Sequence, residues 1–401
     1  MQQRLLAAVC AAITLCVPCT AVAQRAVTRA DAIAAALARG PQLAVAAADT
    51  SAARALLLAA RAYANPTLNL SATKDAPQRH IYADIPLDFP WLRRARVAGA
   101  SAARDAALDR FALQRAAITF DAETTYVNAV VADARARLSR RSAADADSLR
   151  RMAVARRDAG DASDLDVALA TIAAGQQENQ ALADSLTAIA SLLDLQAVMG
   201  DARAGVGITL ADTLALVDTT ATASGGTPLA VSAAVRSVDA ADAAVRAERQ
   251  SVWGSASVQL GVDYHDNTQA GYLPLVGIAI PLPLFNHNQS GVAAAEAERD
   301  RARAELQLTQ VESARDIARV RQALAIAVQR MTRDRALLAS ANRVVAMSLA
   351  SYREGAASLA DVLQTQTSAR ATLAQYVDDV GAADAATAAL RLLTASTPRT
   401  P

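Results

Sequence analysis

The sequence is short of the residues that most globular enzymes use to build a core. Aromatic residues make up 3% of the 401-residue chain, with 16 glycines and 12 prolines. The cysteines, Cys10, Cys16 and Cys19, all lie at the extreme N-terminus, and Lys74 is the single lysine. So few breakers exclude collagen-like and low-complexity classes, and a chain without cysteine after position 19 is no disulfide scaffold. Neither charge sign dominates, with 40 basic against 39 acidic residues. No basic tract exists to neutralise a run of phosphates, which argues against nucleic acid as a partner. There is also no phosphate-cradling glycine loop, no H-E-x-x-H and no local Ser/His/Asp grouping. The three histidines, His80, His265 and His287, are scattered over separate segments and suggest no metal site. Neither an enzyme nor a cofactor is expected.

What the chain has instead is alanine, about a quarter of all residues, mixed with arginine and acids. Alanine favours helix and lets helices approach closely. The one strongly apolar run, Leu5 to Val22, follows Arg4 and ends in Ala21-Val22-Ala23. That pattern is a secretory signal peptide over residues 1–23, cut before Gln24. Pro18 before Cys19 is not the small residue that lipid attachment requires. The exported chain is then free of cysteine and has zero net charge. Beyond the leader, charged residues are expected to interrupt every candidate span of about 20 residues.

The chain also repeats itself. Ile85-Pro86-Leu87 recurs as Ile280-Pro281-Leu282, and the turn around Gly160 recurs around Gly355, both at an offset of 195 residues. Each copy reads in the same order. A helix comes first, from Pro41 to about Tyr63 and from about Pro228 to Val252. Two short strands follow, then a very long helix, a glycine turn and a returning helix. In the first strand pair Leu68, Leu70 and Ala72 alternate with Thr67, Asn69, Ser71 and Thr73, and Ile81, Ala83, Ile85 and Leu87 alternate with His80, Tyr82 and Asp84. In the second, Val258, Leu260, Val262 and Tyr264 alternate with Ser257, Gln259, Gly261 and Asp263, and a less regular strand runs from Tyr272 to Leu282. Such alternation gives one apolar and one polar face, the pattern of a transmembrane β-strand. Four strands cannot close a barrel, and open edges are not tolerated in lipid. Either the sheet belongs to a soluble domain or several chains pool their strands.

The long helices are expected over about Arg93 to Asp158 and about Val292 to Glu354, each roughly 90–100 Å long at 1.5 Å per residue. Leu324, Val328, Met331, Arg335, Leu338, Asn342, Val345 and Leu349 keep a four-three rhythm, as do Leu182, Leu186, Ile189 and Leu193. Both read as coiled-coil seams. The division is therefore a leader (1–23), a first repeat (24–200), a linker or small side structure (201–227), a second repeat (228–393) and a disordered tail (394–401).

This order of elements, the run Ile280-Pro281-Leu282-Pro283-Leu284-Phe285-Asn286 and the motif Tyr352-x-x-Gly355-x-x-Ser358-x-x-Asp361-Val362-Leu363 resemble the TolC-like outer-membrane efflux family. Within it, the short equatorial segment is most similar to the outer-membrane components of heavy-metal RND efflux systems. The resemblance implies a mainly α protein with a small transmembrane β part. It implies a homotrimer in which each chain gives four strands to a shared 12-stranded barrel in outer-membrane lipid, while the helices form a tunnel across the periplasm of a Gram-negative bacterium. It also implies a passive exit duct that opens when a periplasmic adaptor and an inner-membrane pump, RND-type and carrying metal cations or drugs, dock on it. The rival readings are a periplasmic adaptor, which generally has one hairpin rather than two equal repeats, and a soluble coiled-coil scaffold, which would not need four lipid-length strands.

The resemblance also places a gate. Asp361 matches the first position of the family's acidic constriction ring, Gln364 stands at the second without a charge, and Ala357 stands two after the glycine, where a basic gate residue is usual. Ser358-x-x-Asp361 and Ser163-x-x-Asp166 are equally helix capping boxes, so Asp361 and Asp166 have two open roles. Tyr352 either links hairpins at the gate or packs. Gly160 and Asp161, with Gly355 and Ala356, are the tips that resemble adaptor-docking turns, although a glycine there also simply ends a helix. Phe89, Trp91, Trp253, Tyr264, Tyr272 and Phe285 gather at the strand ends, as interfacial aromatic belts would.

Overall fold

A computed structural model describes residues 25–201, 207–214, 226–253, 256–264, 271–280 and 282–396. The leader with its cysteines, His265, Pro281 and residues 397–401 of the tail lie outside these described residues, as does most of the linker.

The chain opens with a three-residue strand, β1 (Arg25–Val27), and a helix, α1 (Arg29–Arg39). Thr28 caps α1 and exchanges hydrogen bonds with Asp31, in the reciprocal arrangement that satisfies two otherwise orphaned backbone donors. After Gly40, Pro41 begins α2 (Pro41–Arg61), a position where its missing N–H costs nothing. Then come β2 (Thr67–Ala72), β3 (Arg79–Pro86), the 69-residue α3 (Pro90–Asp158) and α4 (Asp164–Val198). A short strand, β4 (Ile208–Leu210), pairs in parallel with β1. The second repeat supplies α5 (Leu229–Gln250), β5 (Ser257–Tyr264), β6 (Tyr272–Ala279), the 65-residue α6 (Gln289–Arg353) and α7 (Leu359–Thr394). At about 1.5 Å per residue, α3 and α6 each extend about 100 Å. Both long helices end, and both returning helices begin, at the same 195-residue spacing. The last strand stops at Ala279, three residues short of the expected Leu282.

The strands form one antiparallel sheet in the order β2-β3-β5-β6, so the two repeats meet at β3 and β5. Leu68, Ala83, Leu260 and Val276 form one cross-strand row, and Ile85, Val258 and Ile278 form another on the same face. The opposite face carries Asn69, Tyr82, Asp84, Gln259, His80 and Asp263. There Asn69 donates to Asp84 at 2.8 Å, and the rings of polar contact include His80 Nδ1 with Asp263 at 2.8 Å. Gly261 lies opposite Tyr82, where a Cβ would meet the Ile81 carbonyl and Tyr82 Cβ at 2.6 Å. The apolar face is bare: Leu68, Leu70, Val276 and Ile278 are 66–76% exposed.

The helices pack through alanine. Ala122, Ala129, Ala132, Ala136, Ala146 and Ala153 of α3 are buried, and Ala132 and Ala136 pack with Ala188 of α4. On α4 the buried positions include Ala181, Ala188 and Leu195, seven residues apart. The expected seam of Leu182, Leu186, Ile189 and Leu193 is instead 49–68% exposed in the chain. It is a second stripe turned away from α3, and periodicity alone could not say which of two adjacent stripes lies inside. On α6 the seam holds at Leu324 and Met331. Ala327 and Ala341 are buried one position before the expected Val328 and Asn342, and Arg335 and Asn342 are left in solvent.

Among the described residues two helices, α2 and α4, are long and apolar enough to cross a membrane by length and composition, and charged residues (Asp49 and Arg54 in α2, Glu178 and Asp184 in α4) interrupt both. Both lie lengthwise along α3.

Candidate gate at the helical tips

Each long helix ends because the chain must reverse, and a glycine makes the reversal possible. Gly160 has φ +85° and Gly355 φ +78°, the left-handed region that costs a side-chain-bearing residue about 1–2 kcal/mol. Asp161 N–H donates to the Arg156 carbonyl and Ala356 N–H to the Ser351 carbonyl, both at 2.8 Å, closing the same C-terminal motif in each repeat. The residues Gly160, Asp161, Gly355 and Ala356 are all exposed.

The returning helices start on serine caps that differ in detail. Asp166 N–H donates to Ser163 Oγ at 3.2 Å, and the Asp166 carboxylate accepts from the Ser163 backbone N–H at 3.0 Å and from its hydroxyl at 2.9 Å. At the second tip, Asp361 N–H donates to Ser358 Oγ at 3.2 Å, and the Asp361 carboxylate accepts the Ser358 hydroxyl at 2.7 Å. Asp361 and Gln364 are exposed on α7, whereas Asp166 is half-buried.

Tyr352 is buried, at 2% exposure, in a cluster with Leu149, Ala153, Ala170, Leu359 and Val362, drawn from both hairpins. Its hydroxyl reaches no hydrogen-bond partner. Burial raises the phenol pKa, the negative charge of Asp166 adds to the shift, and Arg156 opposes it. The Arg156 guanidinium lies over the Tyr352 ring, 4.9 Å from its centre, and donates to the Tyr352 carbonyl at 2.8 Å and the Asp161 carbonyl at 3.3 Å. One arginine of the first hairpin thus clamps the last turn of α6, where the helix dipole favours a cation. The structure brings Tyr352 and Asp166 together and leaves Asp361 and Gln364 outside the cluster. Sequence reasoning missed Arg156. Its signal was an arginine four residues before Gly160, hidden among several arginines.

A second polar assembly was also missed. Arg29 of α1 pairs with Asp384 of α7 and, at 3.4 Å, with Glu123 of α3; Arg391 reaches Glu123 at 2.7 Å. The fully buried Tyr126 donates toward the Val27 carbonyl at 3.0 Å and Asp212 at 2.9 Å. Burial and the Asp212 carboxylate push its pKa up to about 12. These contacts bind the N-terminal strand, the segment after β4 and both repeats into a belt around the middle of the helices. They join residues up to 355 positions apart, beyond the reach of any local pattern.

The aromatic residues bracket the strands. Phe89 and Trp91 stack at 4.6 Å beside the helical ends, and Phe285 near them is 93% exposed. Tyr264 and Tyr272 meet at 5.9 Å at the opposite end. The Trp253 side chain lies outside the described residues. His80 contacts Asp263, and His287 lies near Gln289.

Solved structures share this architecture. A membrane protein from Pseudomonas aeruginosa is 19% identical with a TM-score of 0.76, over 92% of this chain and 93% of that one. CusC, whose structures describe transmembrane channel formation, is 16% identical with a TM-score of 0.76 over 92% of both chains. The outer membrane protein VceC of Vibrio cholerae is 19% identical with a TM-score of 0.75, over 91% of this chain and 95% of its own. No curated protein sequence matches the chain. The decisive match is to a family described as outer membrane efflux protein, over residues 228–396. That match spans the second repeat, and the first repeat carries the same elements in the same order. The bare apolar sheet face and the exposed stripe of α4 are left uncovered in the single chain.

Proposed function

We propose that this chain is an outer-membrane efflux protein, three copies of which close a shared 12-stranded barrel and a helical tunnel, forming the exit duct of a tripartite pump. The observation that carries this reading is the four-stranded sheet, with one bare apolar face and two open edges, β2 and β6. Edges are not tolerated in lipid, and a ring of copies removes them. Strands of six to eight residues are roughly 20–26 Å long. The stripe Leu182, Leu186, Ile189 and Leu193 then faces a neighbouring copy, each leucine contributing about 1.5–3 kcal/mol when buried.

At the periplasmic end the closed state rests on the Arg156–Tyr352 clamp. Three copies of Asp361 around the axis raise the local negative potential and favour cations, while each carboxylate still accepts the hydroxyl of Ser358, the residue that caps α7. Gly160-Asp161 and Gly355-Ala356 form the docking tips for a periplasmic adaptor. Energy comes from an inner-membrane pump, which we assign to the RND type, moving metal cations or drugs. Expressed with its leader in a Gram-negative host, the protein is expected in the outer-membrane fraction and, after detergent extraction, at three times the chain mass by light scattering. A soluble periplasmic monomer overturns the reading.

A further inference from the structure

Far from the tips, α6 and α7 face each other across a pair of acids. Asp379 of α7 is 3% exposed, and its Oδ1 forms an ion pair with Arg330 at 2.9 Å and accepts from Gln375 at 3.1 Å. Its other oxygen, Oδ2, is shielded from solvent and has no hydrogen-bond partner, and the same holds for Oδ2 of the half-buried Asp334 on α6. The two acids face each other between the helices: Arg330, one turn before Asp334 on α6, reaches Asp379, and Met331 of α6 packs with Val380 of α7. Two ionised carboxylates in that position would repel and leave two shielded acceptors without donors.

We propose that Asp334 and Asp379 form a proton-binding site, in which one proton held on Asp334 bridges to Asp379 and joins α6 to α7. A single proton resolves both defects, since it makes one oxygen a donor to the other and removes one negative charge. Arg330 then balances the charge that stays on Asp379. A cation of higher charge lacks the ligands for such a place: among the described residues, no group of three or more acids or histidines could hold a metal.

The surrounding charges are consistent with this assignment. Arg330 and Arg333 on α6 favour the ionised form of Asp334, yet its pKa is raised, first by burial and then by the hydrogen bond to Asp379 and the charge of Asp379. On α7, Asp378 is taken up by Arg135 of α3. The α5–α6 ion pairs, Arg249–Glu296 and Arg303–Asp242, lie more than thirty residues back along α6. A carboxyl whose folded pKa is raised contributes stability that is complete below its unfolded pKa, about 3.9, and is lost as pH rises through the folded value. Acid therefore tightens this hairpin, and alkali loosens it near Met331 and Val380, the apolar cluster beside the pair.

The test uses the full-length protein in detergent. Infrared difference spectra across a pH titration are expected to show a protonated carboxyl C=O band in the wild type that vanishes in Asp334→Asn. The thermal midpoint of the wild type is expected to fall with rising pH more steeply than that of Asp334→Asn, whose amide keeps a donor toward Asp379. The wild-type band alone carries the test if a variant fails to fold, and Asp379→Asn supplies a second variant. Absence of the band, its persistence in Asp334→Asn, or parallel pH profiles would overturn the assignment. Recovery of the high-pH midpoint by magnesium would do the same, by making the site one for a divalent cation.

Discussion

Replacing Arg156 by alanine removes the clamp between the two hairpin tips while leaving both glycine turns in place. The lost contacts are a charge-assisted hydrogen bond of 2.8 Å to the Tyr352 carbonyl and a cation–π contact at 4.9 Å. A hydrogen bond to a charged group contributes about 1.5–3 kcal/mol when shielded, and a cation–π contact about 0.5–1 kcal/mol at an accessible site. Arg156 is half-buried, so solvent reduces both, and about 1–3 kcal/mol per copy is the reasonable total. If the clamp holds the closed state, that loss shifts the closed–open equilibrium by about 5–150-fold. Single-channel recording in planar bilayers reads this directly, as longer and larger openings of the variant. Tyr352 sharpens the test, because its hydroxyl has no partner and only its ring meets the guanidinium. Tyr352→Phe is therefore expected to keep the wild-type conductance, whereas Tyr352→Ala opens a cavity costing about 3–5 kcal/mol. Wild-type conductance in Arg156→Ala, or an open channel in Tyr352→Phe, would refute the reasoning.

Three further outcomes follow from the same geometry. Tyr126→Phe leaves Asp212 and the Val27 carbonyl without their shared donor and is expected to destabilise the fold by about 1–3 kcal/mol, read as a lower thermal midpoint. In the wild type the folded phenol pKa of about 12 lies above the ordinary tyrosine value of about 10. Stability from this group is therefore complete below pH 10 and lost as pH rises through about 12, a loss that Tyr126→Phe should abolish. Asp361→Asn keeps most of the cap but removes the charge, so a weaker cation preference in reversal-potential measurements, with little change in melting, is expected; an unchanged reversal potential leaves the residue as a cap alone. Leu186→Arg on the exposed stripe of α4 should release monomers on gel filtration without loss of helical circular dichroism, and an intact oligomer would place that stripe elsewhere than at an interface.

The features legible in the sequence are those that repeat or are local. The 195-residue spacing located both long hairpins, the alternation of Leu68, Leu70 and Ile81 located strands, and Ser163 and Ser358 marked the starts of the returning helices. The equatorial belt was not legible. Strands of three residues leave no period to read, and the Arg29–Asp384 and Arg391–Glu123 pairs join ends of the chain that only tertiary packing brings together. The α4 seam was misplaced for a different reason. Alanines at 181 and 188 carry too little hydrophobicity to outrank the leucines beside them, although their small size is what lets α3 and α4 meet. At the tips, motif matching pointed to Asp361, which capping alone explains within one chain, and passed over Arg156, which makes the contact between hairpins.

The claim on which the rest depends is that β2 of one copy pairs with β6 of the next. The chain has no cysteine after Cys19, so engineered pairs in the strands report against little background. A cysteine at Asn69 on β2, combined in turn with one at Leu273 or Leu275 on the same face of β6, can be oxidised in isolated outer membranes and run on a denaturing gel. A closed ring of three predicts dimer and trimer bands that end at the trimer, at one of the two positions. Chains that stay monomeric at both, or a ladder that continues past three, would contradict the shared barrel.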